Sequence, residues 1–170
     1  KYHDYGTSVN ISVLNFLKGL PTKNFRATSF EQAESIGGEI FAEKHLLRRF
    51  SCAGCPIGCV HIAALKTAFS SHQEFEVRKV SYDYEPIYSL GSNLGVGSAE
   101  GILQLIDVCE RLGLDVMSAG VVLSWATEAL EKGLISAKET LEVPLQWNGV
   151  EGYTRALESI AQAPNEFYAA

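Results

Sequence analysis

The sequence is short of everything that would place it in a bilayer or on nucleic acid. Its apolar stretches are broken within about ten residues by Lys, Asp, Glu or Gly, and a membrane span takes ~20. Positive charge is the scarcer sign. Fourteen basic residues stand against 20 acidic ones, and the net charge of −6 repels nucleic acid and anionic lipid. Lys44, Arg48 and Arg49 form the nearest thing to a basic patch and are too few to reverse the balance. Internal repeats, low-complexity tracts and linkers are absent, so residues 1–170 read as a single domain with one core. The first twenty residues lack the basic-then-apolar order of a secretion signal. The chain starts at Lys1 without Met and ends at Phe167-Tyr168-Ala169-Ala170 without a helix stop, as a piece cut from a longer protein would.

Helical signals dominate what is present. Thr7 or Ser8 is placed to cap a short first helix that stops at Gly19. Ser29-Phe30-Glu31-Gln32 has the capping-box pattern and is expected to open a helix running to about Leu47, weakened by Gly37-Gly38. Ser98 precedes a 3.6-residue period at Ile102, Leu105, Ile106, Cys109 and Leu112, closed by Gly113. Residues 116–132 are apolar nearly all round, the mark of a helix enclosed in a larger body. Ser136-Ala137-Lys138-Glu139 is a second capping box, expected to start a short helix, and a last helix is expected over 150–161. Between Gln73 and Tyr82 the alternation is partly strand-like, and Asp83 to Gly97 reads as an ordered loop. The fold class expected is all-α, with a short irregular or strand-like segment around 74–92.

Three segments could carry chemistry. Cysteines Cys52, Cys55 and Cys59 form a C-x2-C-x3-C run, while Cys109 stands apart. Crowding thiols in this way does not staple distant loops, so it points to reduced thiolates around one metal centre and hence to a reducing, cytoplasmic setting. Small residues Ala53, Gly54 and Gly58 would let the backbone curl and aim N–H groups at the sulfurs. Three thiolates leave a four-iron cluster one ligand short, to be supplied from elsewhere. Zinc held with His61 or Cys109 as fourth ligand is the competing reading, and would make the chain a zinc-stabilised, non-catalytic helical protein-binding module. A redox-active Cys52–Cys55 pair lacks the β-α-β surroundings such a motif needs. The second segment is Glu110-Arg111-Leu112-Gly113-Leu114-Asp115. As local structure it is a left-handed glycine closing one helix and an Asp opening the next; as a site it is a helix N-terminus and a carboxylate facing a polar ligand. The third is Glu85, flanked by Tyr82, Tyr84 and Tyr88, where desolvation would raise a carboxyl pKa and suit it to general acid–base work.

Taken in order, these segments resemble the aldehyde:ferredoxin oxidoreductase family of tungsten- or molybdenum-pterin enzymes. The resemblance runs through Tyr5-Gly6-Thr7-Ser8, Leu20-Pro21-Thr22-Lys23-Asn24-Phe25, Phe30-Glu31-Gln32-Ala33-Glu34, Cys52 to Cys59, Tyr84-Glu85, Gly91-Ser92-Asn93 and Cys109 to Asp115. It implies the helical middle domain of a three-domain enzyme, with an N-terminal and a C-terminal domain outside this chain. It implies a tungsten or molybdenum bis-pterin cofactor and a [4Fe-4S] cluster held by Cys52, Cys55 and Cys59, with a fourth cysteine in the C-terminal domain. Residues Glu110, Gly113, Leu114 and Asp115 match the family's D-x-x-G-L-C/D pterin loop, with Glu in place of the first Asp. Glu85 falls at the Tyr-Glu position near the metal. The activity implied is oxidation of aldehydes to carboxylic acids, with ferredoxin or a similar carrier as electron acceptor. A homodimer metal, which some members hold through Glu-x-x-His, is not expected, because Gln104 and Asp107 occupy that place.

Overall fold

The computed structural model describes residues 1–68 and 75–169. The chain opens with two short helices, α1 (Tyr2–Tyr5) and α2 (Asn10–Phe16), joined by a 3-10 turn over Thr7–Val9. A 3-10 turn at Ala33–Ile36 leads to α3 (Gly38–Lys44). Three strands follow, β1 (Leu46–Phe50), β2 (Val60–Ala68) and β3 (Phe75–Tyr82). The rest is helical: α4 (Tyr84–Leu90), α5 (Ala99–Leu112), α6 (Val116–Glu131), α7 (Val150–Gln162) and α8 (Glu166–Ala169).

Mainly helical architecture is as expected, with an antiparallel sheet of order β1-β2-β3 added to it. In β2 the buried side chains are His61, Ala63 and Leu65, alternating with half-exposed neighbours as a strand with one covered face must. Register pairs His61 with Tyr82 and Ala63 with Val80, which puts these four on that covered face. Gln73 and Glu74, the start of the strand-like alternation, lie outside the described residues.

Three local expectations are corrected. The segment after Ser29 is not one helix: Gly37 is the N-cap of α3, and Phe30 N–H donates to Asn15 Oδ1 (2.7 Å) instead of starting a helical ladder. Gly38 lies so close to the first turns that a Cβ there would sit 2.8 Å from Val9 N, so this position is chosen for close packing and not for helix propensity. Residues 83–97 are not loop but α4 followed by a 3-10 turn at Ser92–Leu94, with Ile87, Leu90 and Leu94 fully buried. The capping box at Ser136 forms, Ser136 N–H donating to Glu139 Oε2 (2.8 Å) and Glu139 N–H to Ser136 Oγ (3.4 Å). It closes only a turn, because Leu141 and Glu142 take left-handed φ values.

One core unites the sheet with α4 to α7, and α5 runs through it with Ile102, Leu103, Leu105, Ile106 and Cys109 buried. Ser98 Oγ accepts from Gly101 N–H (3.2 Å) at its start, and Gly113, at φ 71°, ends it in the left-handed conformation. Helix α6 departs from the all-round burial its composition suggests: Val121, Val122 and Trp125 face outward. No helix among the described residues is long and apolar enough to cross a membrane.

Candidate functional site

The cysteine loop closes the β1–β2 hairpin, since Phe50 pairs with Val60 across its base. Tyr82, the last residue of β3, pairs with His61, and α4 begins two residues later. The sheet therefore delivers Cys59 and Glu85 from the same end. Within the loop, Cys55 N–H donates to Cys52 C=O (3.0 Å), making a turn, and Gly54 and Gly58 take φ values of 73° and 68° that a side chain would strain. Cys52 is exposed and Cys55 and Cys59 are half-buried; all four cysteines are free.

No three His, Cys, Asp or Glu side chains among the described residues gather tightly enough to hold a single metal ion. A four-iron cluster spaces its thiolates more widely than one ion does, and three soft donors on one exposed, glycine-shaped loop suit it. The fourth ligands considered for zinc are committed elsewhere. His61 is fully buried, with Nε2 3.1 Å from His3 O and Nδ1 3.2 Å from the Tyr82 hydroxyl. Cys109 is sealed in the core, and its thiol is pushed up to about 12 by burial first and by the charges of Glu110 and Asp115 after that.

The Glu110–Asp115 junction realises both helix-end roles foreseen for it. Leu114 N–H donates to Cys109 C=O (2.9 Å), and Asp115 Oδ1 accepts from Ser118 N–H (2.7 Å). Hydrogen bonds from the Ser118 side chain and then from its backbone N–H hold the Asp115 carboxyl below its usual range. Burial, with the charge of Asp107 adding, raises that of Glu110. Both side chains reach the surface, so their remaining oxygens can accept from the amino and ring N–H groups of a pterin. Leu114 and Asp115 also form one wall of an apolar cavity of about 550 Å³, completed by residues such as Trp125, Leu145, Ile160 and Phe167.

Glu85 lies exposed in the first turn of α4, and two residues before it the Asp83 carboxyl is raised by burial and then by the charge of Glu85. Sequence reasoning missed Asp83, because it falls at the start of the segment that reads as an ordered loop. The Tyr84 and Tyr88 rings pack 5.0 Å apart, and both phenols are raised chiefly by burial. At the place considered for a dimer metal, Asp107 Oδ2 instead accepts from Arg78 Nη1 (2.7 Å) and Arg111 Nε (2.9 Å).

A family sequence model described as "Aldehyde ferredoxin oxidoreductase, domains 2 & 3" matches residues 1–168. The tungsten-containing aldehyde ferredoxin oxidoreductase of Pyrococcus furiosus is 33% identical over 159 residues, covering 93% of this chain and 25% of the relative. Its namesake in Thermococcus kodakarensis is 34% identical over 158 residues, covering 92% and 25%. A P. furiosus protein named "Aliphatic sulfonate oxidoreductase, WOR-like subunit" is 25% identical over 163 residues, covering 95% and 25%. The chain thus spans about a quarter of the length of the curated relatives it matches. With a match across nearly its whole length, it belongs to the aldehyde ferredoxin oxidoreductase family.

Proposed function

We propose that this chain is the cluster-bearing middle domain of a tungsten-pterin enzyme that oxidises aldehydes to carboxylic acids and passes the electrons to ferredoxin. The observation that carries the reading is the C-x2-C-x3-C loop, delivered by the sheet to the same end as Glu85 in a chain of this family. Tungsten is favoured over molybdenum by the names of the more similar relatives, and aldehyde over sulfonate by the same names.

The pterin-held metal, when bound, supplies two-electron oxidation, and the cluster supplies one-electron transfer. The chain's own residues do the rest. Cys52, Cys55 and Cys59 would hold three corners of the [4Fe-4S] cluster, leaving the fourth to another part of the polypeptide. Glu110 and Asp115 would accept hydrogen bonds from the pterin, Gly113 would leave its edge unobstructed, and Leu114 would give it an apolar neighbour. Glu85, exposed beside Tyr84 and Tyr88, would take the proton released as the aldehyde is oxidised. Pairing with a second copy of the protein would not need a shared metal here, since Asp107 is already neutralised by two arginines.

The test is anaerobic purification of the whole polypeptide that carries this chain. About four iron and four sulfide per chain, with tungsten and aldehyde-dependent reduction of ferredoxin, are expected. One zinc per chain and no sulfide would overturn the reading.

A further inference from the structure

The N-terminal turn carries a motif, Tyr5-Gly6-Thr7-Ser8, to which the proposed chemistry assigns no task, yet it lies against the cysteine loop and against the helix of Glu85. His3 Nδ1 is 3.1 Å from Ile57 O, and a carbonyl can only accept, so that nitrogen carries the proton and donates. His61 Nε2 is 3.1 Å from His3 O and must likewise donate. The other ring nitrogen of His61, Nδ1, lies 3.2 Å from the Tyr82 hydroxyl, so both polar edges of this buried ring are engaged. The result is one connected chain, Tyr82 to His61 to His3 to Ile57, ending two residues before Cys59.

Shape agrees with polarity along this contact. A Cβ on Gly58 would sit 3.0 Å from His3 Nδ1, and one on Gly6 would sit 3.3 Å from Cys59 O and 3.1 Å from His61 Nδ1. Both glycines have left-handed φ, so turn and loop are each shaped to admit the other. On its far side the turn reaches α4, where Tyr84 N–H donates to Thr7 Oγ1 (2.9 Å).

We propose that the segment Tyr2–Thr7 is a positioning strut: through His3 and the buried His61–Tyr82 pair it fixes the Cys59 side of the cysteine loop before any cluster is bound. The proposal takes its purpose from the cluster reading above, but its test does not depend on a cluster. The contacts of the strut fall on Ile57, Gly58 and Cys59 and not on Cys52 or Cys55. Cys59 is the ligand whose place the fold sets in advance.

The experiment uses the whole polypeptide stripped of iron, with iodoacetamide as probe and each cysteine read separately by mass spectrometry. His3→Ala is expected to speed alkylation of Cys59 about five-fold, the opening that follows loss of one hydrogen bond, while the rates of exposed Cys52 and core Cys109 hold. His3→Gln, which can still donate to Ile57 O, should restore most of the protection. Loss of overall folding would raise Cys109 as well, so the ratio of Cys59 to Cys109 isolates the strut. An unchanged ratio in His3→Ala, or equal acceleration in His3→Gln, overturns the proposal. If the ratio changes but the unstripped protein carries no sulfide, the strut stands and the cluster reading falls.

Discussion

The helix junction at 110–115 and the cysteine loop at 52–59 are built on different terms. At the junction every structural element is satisfied from within: Gly113 ends one helix, Asp115 opens the next, and both helices are anchored in the core. The cysteine loop has a single internal turn and one tie to His3, and Cys52, Ala53 and Gly54 face solvent. A binding surface that folds on its own can be damaged only by breaking the fold around it. A loop whose donors await a ligand draws part of its order from that ligand. The two regions should therefore fail in different ways.

The largest contrast is in iron content. Cys55→Ser in the whole polypeptide is expected to lose most of its iron and sulfide with little change in folding, because Cys55 packs on nothing in the core. Cys109→Ser should keep its iron, since that thiol is buried and held protonated. Colorimetric iron and sulfide assays decide it, and equal loss from both would sink the ligand assignment. Next in size is the ion cluster behind the junction. Asp107→Asn removes the charge that two arginines share and should cost about 1–3 kcal/mol in chemical denaturation. Beside the loop, Arg48 stacks 4.4 Å over Phe50 on an exposed edge strand, and Arg48→Ala should cost no more than about 0.5 kcal/mol.

Much of the helical scaffold was legible because helix ends are local chemistry. Ser98, Gly113 and Asp115 do what their side chains and backbone freedom allow wherever they occur, and α5, α6 and α7 fall where their caps and periods put them. The sheet was not legible. Strand β2 carries Ala63, Ala64, Lys66 and Ala68, which disfavour strands in isolation, and four of five residues in β1 are exposed. Strand β1 exists because it pairs with β2, and β2 because it pairs with both neighbours and packs against α5, information that lies in distant residues. The same holds for His3 and His61, 58 positions apart, whose contact no local pattern announces. Helix α4 was hidden by Tyr84-Glu85-Pro86 and the Gly-Ser-Asn run after it, which look like loop until Ile87, Leu90 and Leu94 are given a core to enter.

A matched pair of substitutions sharpens the comparison further. Gly54 and Gly113 share nearly the same left-handed φ, 73° and 71°, and a Cβ at either would meet nothing within 4 Å. The local strain of Gly→Ala is thus alike, about 1 kcal/mol. At Gly113 two anchored helices forbid relaxation, so the whole cost should appear in the unfolding free energy. At Gly54 the loop can yield, and the change should stay within about 0.3 kcal/mol while cluster retention on exposure to a chelator falls. Equal destabilisation at both positions would show the loop to be as fixed as the junction.

The smallest effects are pH slopes, and the junction should show two of opposite sign. The Glu110 carboxyl is raised in the folded state, chiefly by burial, so its ionised form is the disfavoured one there. Both states are protonated well below the ordinary Glu value, and the penalty enters as pH rises through that value and then through the folded one. Glu110→Gln should therefore be more stable than the parent at about pH 7, by only about a few tenths of a kcal/mol because the burial is partial and solvent still screens the carboxyl, and indistinguishable near pH 3.5. The Asp115 carboxyl is lowered by its bonds to Ser118, so its contribution is present above the ordinary Asp value and is lost as pH falls through the folded one. Asp115→Ala should accordingly weaken the protein at neutral pH and converge with the parent in acid, whereas Asp115→Asn, which caps as well, should move little. Urea unfolding at several pH values reads both differences, and parallel slopes for the Glu110 and Asp115 variants would mean that burial does not act on Glu110 as its surroundings require.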